Sequence, residues 1–294
     1  MNFWVLVIIA LIIGSTVYSY WKQISYSIVA SVTCGIAFGI LVFAGDPQQY
    51  LNSDLMYNLE FTPHDLVDPT RAYTLFTSMY THAGFLHLFF NVVGLAFIGM
   101  LFEQRVGTRS FIIIYLLTGV CGTLTFAAVR WNDPLIAVVG ASGAISGVLG
   151  AFARLFPNER LSMILFFFPL PPMPTWIIVI VFVLLQGFFL YGEPNIAVES
   201  HLGGLVAGLL LAPIVVKMQH KRTVVRRAVP HASLKKLATT PELKSILIRI
   251  EDEEIPEVRS AWIQEFLAKA RCPSCGAKLR VSRDSVQCER GHIF

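Results

Sequence analysis

The chain has 294 residues, of which 55% are hydrophobic and only 14% charged, and its formal net charge is +4. A soluble domain of this length carries about 25% charged residues, so with a mean hydropathy of +0.63 the composition excludes an ordinary soluble protein and reads as an integral membrane protein. The net charge is small, and where the charges lie matters more than their sum.

Residues 2–20 are apolar throughout and long enough to span a bilayer. They carry no basic leading region and no small-x-small cleavage site, so they are not read as a signal peptide. A second span covers 25–44, and its Cys34, like Cys121 further on, reads as an inert packing residue. A loop of about 40 residues follows, holding Asp46, Asp54, Glu60, Asp65 and Asp68 against a single Arg71. Further spans are predicted at 86–102, 110–129, 143–156, 175–191 and 201–218, which makes one helix plus a core of six. Residues 161–174 are apolar but broken by four prolines. Proline cannot continue a helix without losing a hydrogen bond, so this stretch is expected to be a short inner-leaflet segment and a turn.

Lys22, Arg105, Arg109, Arg154, Arg160, Lys217, Lys221 and Arg222 fall on one side of this arrangement, and only Arg71 and Arg130 on the other. The excess of basic residues marks the cytoplasmic side. The N-terminus and the acidic loop are therefore expected outside, everything after residue 218 inside, and the host is expected to be the plasma membrane of a prokaryote. After residue 218 the composition changes abruptly. His220, Lys221, Arg222, Arg226 and Arg227 make a basic linker over 219–240, expected to meet anionic lipid headgroups. No nucleic-acid motif accompanies it, and no nucleic-acid partner is expected. Thr240-Pro241 reads as an N-cap with proline at the first helical position, opening helices near 241–251 and 256–270.

The last 23 residues hold Cys272-x2-Cys275 and Cys288-x3-His292, separated by 12 residues. The odd total of five cysteines argues against a disulfide framework. Cys3His is a tetrahedral zinc set, and Gly276 and Gly291 would permit the turns of a small ribbon over 272–294. An empty ribbon and a redox pair are the alternatives, the latter without a surrounding βαβ pattern. The role expected is structural zinc or docking of a cytoplasmic protein.

Within the spans, few polar groups stand out. Gly140-Ala141-Ser142-Gly143 opens an otherwise apolar helix. Free N–H groups at a helix start suit a nucleophile whose reaction generates an oxyanion. The same stretch, with Gly143, Gly147 and Gly150, also reads as a small-residue packing face. His87 and Asn91 are four apart and share a helix face; with His82 they lie at the outer entry of their span. His201 opens the last span. Each could equally be interhelical glue. All lie at one depth, and Gly143-x3-Gly147 and Gly204-x3-Gly208 would let two helices approach closely. A transporter would place ionisable residues at mid-membrane, where none is found.

In these residues the sequence resembles the rhomboid family of intramembrane serine proteases over about 25–218. The matching motifs are GxSG at Gly140–Gly143; His82, His87 and Asn91; Glu103, Arg105 and Gly107; and His201, Gly204 and Gly208. Arg71 fits the arginine late in the family's first outer loop, although the tryptophan usual before it is Thr70 here. The resemblance implies an all-α polytopic fold with a six-helix rhomboid core (23–218); the extra N-terminal helix (1–22) precedes this core, and the cytoplasmic helices (241–271) and the ribbon follow it. It implies Ser142 as nucleophile and His201 as general base, in a dyad without an acidic third member. His87, Asn91 and the Ser142 N–H would form the oxyanion hole, with His82 shaping the loop. Substrates would be transmembrane proteins, cut near the outer face without a catalytic cofactor. A non-catalytic member binding membrane clients is the alternative; such members typically lack the serine or histidine. One departure is Ser146, where the family commonly stacks an aromatic on the histidine; either another side chain holds His201, or its orientation is looser.

Overall fold

The computed structural model describes residues 3–44, 50–133, 135–165, 168–192, 196–227, 231–253, 256–282 and 285–294. Asp46 of the acidic loop lies outside them. The chain forms two compact units, Met1–Lys217 and Met218–Phe294.

In the first unit, α1 (Phe3–Lys22) and α2 (Tyr26–Ala44) pack against each other. α1 buries Val5, Ile8 and Ile12 on one stripe and leaves Phe3, Leu6, Ile13 and Val17 exposed. A helix apolar all round belongs in lipid, where exposed apolar side chains meet acyl chains. α3 (Phe85–Val106) contains a π-helical turn at Leu95–Gly99 and is followed by α4 (Thr108–Val129). Near its end, Glu103 accepts from the Tyr26 and Ser27 N–H groups at 2.6 and 2.9 Å, and from the Ser25 and Ser27 hydroxyls. One buried carboxylate thus satisfies the orphan donors that open α2.

α5 (Ser142–Leu155) is the innermost helix: ten of its residues are buried, with Val148, Ala151 and Phe152 fully so. It packs on α4 and on α6 (Thr175–Gly192). α7 (Val198–Arg227) completes the set. Among the described residues, five segments are long and apolar enough to cross a membrane: α1, α2, α3, α4 and Val198–Met218. α5 has 14 residues, about 21 Å at 1.5 Å per residue, against a hydrocarbon layer of about 30 Å. It is therefore too short to cross that layer from face to face.

The short segment and turn expected in the proline-rich stretch take the form of an antiparallel ribbon, β1 (Arg160–Leu165) with β2 (Phe168–Pro174). A two-stranded ribbon has only edge strands, and proline is tolerated there because the missing N–H faces away from the partner. Within the basic stretch 219–240, α7 continues to Arg227 and α8 occupies His231–Leu237.

The second unit adds α9 (Pro241–Asp252) and α10 (Pro256–Lys269), with a ribbon of β3 (Leu279–Ser282) and β4 (Ser285–Cys288). Thr240 caps α9, its hydroxyl accepting from Leu243 N–H at 3.2 Å. Leu234, Leu237, Leu243, Ile246, Leu247, Ile250, Phe266 and Val286 share one core. The Ser233 hydroxyl donates to the Phe294 carbonyl at 2.7 Å. The ribbon therefore packs into the same core as the helices before it, rather than standing as a separate module.

Candidate active site and candidate metal centre

The approach to Ser142 is fixed from the long loop between α2 and α3. Arg71 is buried there, pairs with Asp65, donates to the Tyr57 carbonyl at 2.8 Å and lies 4.4 Å over the Tyr57 ring. Asp65 also accepts from Thr62 N–H and the Thr74 hydroxyl, so neither buried charge is unpaired. From this scaffold Phe61 exchanges two backbone hydrogen bonds with Val138, and Ser78 accepts from Gly140 N–H at 2.8 Å. Gly140 then turns the chain at φ +115°, a region that favours glycine. Ser142 follows as the first residue of α5.

The glycines bring α7 against α5. A Cβ on Gly143 would stand 2.6 Å from the Ser200 hydroxyl, and one on Gly204 or Gly208 would run into the Gly143 or Gly147 carbonyl. Arg130 pairs with Glu199 at 2.7 Å, joining the end of α4 to the first turn of α7. At this spacing the Ser142 hydroxyl and His201 Nε2 are 2.7 Å apart. That is hydrogen-bond distance between a nucleophile and a base.

His87 stands beside them. Its Nδ1 accepts from Ala83 N–H at 3.4 Å, which leaves the proton on Nε2. A Cβ at Gly140 would lie 2.5 Å from that Nε2 and 3.6 Å from the Ser142 hydroxyl oxygen. Glycine at 140 thus makes room for an N–H donor next to the serine. Asn91 is buried one turn along the same face, and its Nδ2 donates to the His87 carbonyl at 2.8 Å. Its Oδ1 has no partner, and no hydrogen bond joins Asn91 to Ser142 among the described residues. α3 does meet α5 there, since a Cβ on Gly94 would lie 3.2 Å from Ile145. His82 is fully buried edge-on to His87, with ring centroids 5.1 Å apart. Burial, and then the His87 ring, push its pKa down to about 3.

Two side chains that sequence reasoning passed over touch His201 from α6. Gln186 Oε1 is 2.8 Å from His201 Nδ1, and the Phe182 ring centroid lies 6.4 Å from that of His201. Ser146 donates to the Ser142 carbonyl of its own helix. The available signal was a lone glutamine in an otherwise apolar span.

In the second unit, the ligand atoms of Cys272, Cys275, Cys288 and His292 all lie within 4.8 Å of one another. Cys275 and Cys288 sulfurs are 3.7 Å apart, and His292 Nδ1 is 3.3 Å from Cys288 Sγ and 3.6 Å from Cys272 Sγ. Tetrahedral zinc with bonds of about 2.3 Å to sulfur and 2.0 Å to nitrogen puts its ligand atoms roughly 3.5–3.8 Å apart, close to these separations, so the donor set fits. Gly276 and Gly291 take φ of +69° and +88° where the two knuckles turn. Burial raises the Cys288 thiol pKa, but hydrogen bonds from the His292 and Arg290 backbone outweigh it and bring the thiol to about 6, which favours the thiolate a metal needs.

Comparison with known proteins agrees with this fold. The Rhomboid domain family model matches residues 69–218. The chain is 32% identical over 152 residues to the Putative rhomboid protease YdcA of Bacillus subtilis, covering 50% of this chain and 69% of that protein. It is 31% identical over 153 residues to RHOMBOID-like protein 5 of Arabidopsis thaliana, covering 50% and 45%. With the Rhomboid protease GluP of Bacillus subtilis it shares 30% over 162 residues, covering 55% and 29%. The chain thus spans less than half the length of two of these three. It belongs to the rhomboid family and is an integral membrane protein.

Proposed function

We propose that this chain is an intramembrane serine endopeptidase in which Ser142 is the nucleophile and His201 the general base. The contact between the Ser142 hydroxyl and His201 Nε2, 2.7 Å long and bridging α5 and α7, carries this reading. The Ser142 hydroxyl oxygen bonds to the scissile carbonyl carbon while its proton passes to His201 Nε2. The carbonyl oxygen becomes an oxyanion next to the His87 Nε2–H, the Ser142 N–H at the helix start and the free hydrogen of Asn91 Nδ2. Collapse breaks the C–N bond, and His201 returns the proton to the departing amine. Water, deprotonated by the same imidazole, then hydrolyses the acyl ester.

The substrates are transmembrane proteins. A substrate helix hides its carbonyls in hydrogen bonds and must unwind locally, so small or helix-breaking residues near the cut are favoured. Arg105 and Arg109, where α3 meets α4, and Arg154 and Arg160, around the end of α5, support a cytoplasmic location for those turns. Ser142 then lies towards the outer face, with α1 as an extra helix beside a core of six. The shortness of α5 supports a nucleophile set below the surface. The Cys272, Cys275, Cys288 and His292 set would hold a structural zinc ion on the cytoplasmic side. The basic stretch after residue 218 would meet lipid headgroups, leaving the second unit to dock a cytoplasmic protein.

The test is cleavage of a transmembrane reporter by reconstituted Ser142→Ala, His201→Ala and the double variant. Residues that act as one unit are non-additive, so the double variant should be no slower than either single one. Robust cleavage by either single variant would refute the assignment.

A further inference from the structure

Between Ile177 and Phe188 of α6, Gln186 is the only side chain able to hydrogen-bond. An amide in an apolar span is costly to bury unless it has a partner. Gln186 is 4% exposed, and its Oε1 meets His201 Nδ1 at 2.8 Å. Ile178, Phe182 and Gln186 recur every four residues and so share one face of α6. That face brings a ring and an amide to the same imidazole.

The chemistry follows from which nitrogen holds the proton. Gln186 Oε1 can only accept, so the bond requires the His201 proton on Nδ1. Nε2 is then unprotonated and faces the Ser142 hydroxyl, which is the tautomer a base needs. The other tautomer would turn an N–H towards the serine and could not take its proton. We infer that Gln186 is a positioning residue that fixes the tautomer and orientation of His201 from α6, an inference that rests on the serine-protease reading above. When Ser142 attacks, its proton moves to Nε2 and the Nδ1–H stays on Gln186. The amide remains neutral and takes no proton. Ser146 is committed to its own helix and does not serve here. The base is aligned only while α6 is seated, because its second contact comes from that helix.

The other titratable or charged groups around His201 are His87 on α3 and the Arg130–Glu199 pair two residues before it. α6 contributes no Asp, Glu, Lys, Arg or His, and α5 only Arg154 at its far end.

The experiment compares Gln186→Met and Gln186→Glu with the unaltered full chain in proteoliposomes, measuring kcat, KM and the pH profile of kcat/KM. Methionine keeps the length and removes the acceptor. It should lower kcat by at least about 10-fold, leave KM within roughly 2-fold and slow fluorophosphonate labelling of Ser142. Glutamate puts a carboxylate on Nδ1, which favours the imidazolium. The acid limb of the profile should move up by about one pH unit or more, with much of the rate recovered above it. An unchanged kcat and profile in Gln186→Met would overturn the inference. So would equal losses in both variants with an unshifted acid limb, which is what a packing role gives. Loss of cleavage in Ser142→Ala alongside a fully active Gln186→Met defeats this inference alone, whereas persistent cleavage by Ser142→Ala defeats the protease reading as well.

Discussion

Gly204→Ala puts one methyl group into the closest approach between α5 and α7. A Cβ at Gly204 would run into the Gly143 carbonyl oxygen and stand 2.9 Å from its carbon. Non-bonded carbons need about 3.5 Å, and the obstacle is backbone, which has no rotamer to move away. The helices must therefore separate by roughly 1 Å. Three residues earlier on the same helix, His201 makes the 2.7 Å contact to Ser142. Opening it by that amount exceeds hydrogen-bond range, and a misplacement of about 1 Å costs roughly 100-fold in rate. For stability, overpacking costs about 1–3 kcal/mol, against a gain of about 0.5–1 kcal/mol for replacing a helical glycine. The steric term wins at Gly204. At Gly39 a Cβ meets nothing within 4 Å, so Gly39→Ala should be neutral or stabilising and fully active. The assays are reporter cleavage in proteoliposomes and thermal unfolding in detergent. A Gly204→Ala protein as fast and as stable as the unaltered chain would refute this account of the helix contact.

Removing an oxyanion donor from a water-excluded site typically costs about 2.7–4 kcal/mol, so His87→Ala and Asn91→Ala should each lose roughly 100- to 1000-fold in kcat with KM little changed; a raised KM with normal kcat would make them substrate contacts. Ser146 is 4% exposed, so Ser146→Phe should lose about 1–3 kcal/mol of stability by overpacking and gain no rate; a stable, faster variant would contradict this. The protein should carry one zinc ion per chain by metal analysis, and Cys275→Ser should abolish it. Because Val286 packs with Leu237 and Phe266, metal loss should loosen α8–α10 as well as the ribbon, read as faster alkylation of the cysteines and lower protection of Phe266. A chain ending at Arg227 should still cleave the reporter, and a folded, inactive truncation would show that the second unit is needed for the chemistry.

Five of the spans were legible because lipid imposes one simple rule, an apolar run of fixed minimum length; α5, at 14 residues, falls short of it. Glycine spacing foretold the α5–α7 contact, since only small residues permit such an approach. The pairing of Ser142 with His201 was legible through motifs, and the Cys3His set through ligand spacing. The ribbon at β1–β2 was not, because four prolines disfavour a helix without saying what replaces it. Glu103 as the cap of α2 and Glu199 as the partner of Arg130 depend on contacts 76 and 69 residues apart, which no local pattern encodes. Gln186 was hidden for another reason: its neighbours count as a membrane span, and one neutral amide barely changes that sum. Val286 joined the ribbon to the helices before it, while cysteine spacing had marked the ribbon off as separate.

The central claim is that Ser142 is a nucleophile activated by His201. The most direct measurement is peptide mapping by mass spectrometry after reaction of the membrane-embedded protein with a fluorophosphonate. The account predicts one adduct per chain, on Ser142, absent in Ser142→Ala and formed much more slowly in His201→Ala. An adduct on another residue, or undiminished labelling of His201→Ala, would contradict it.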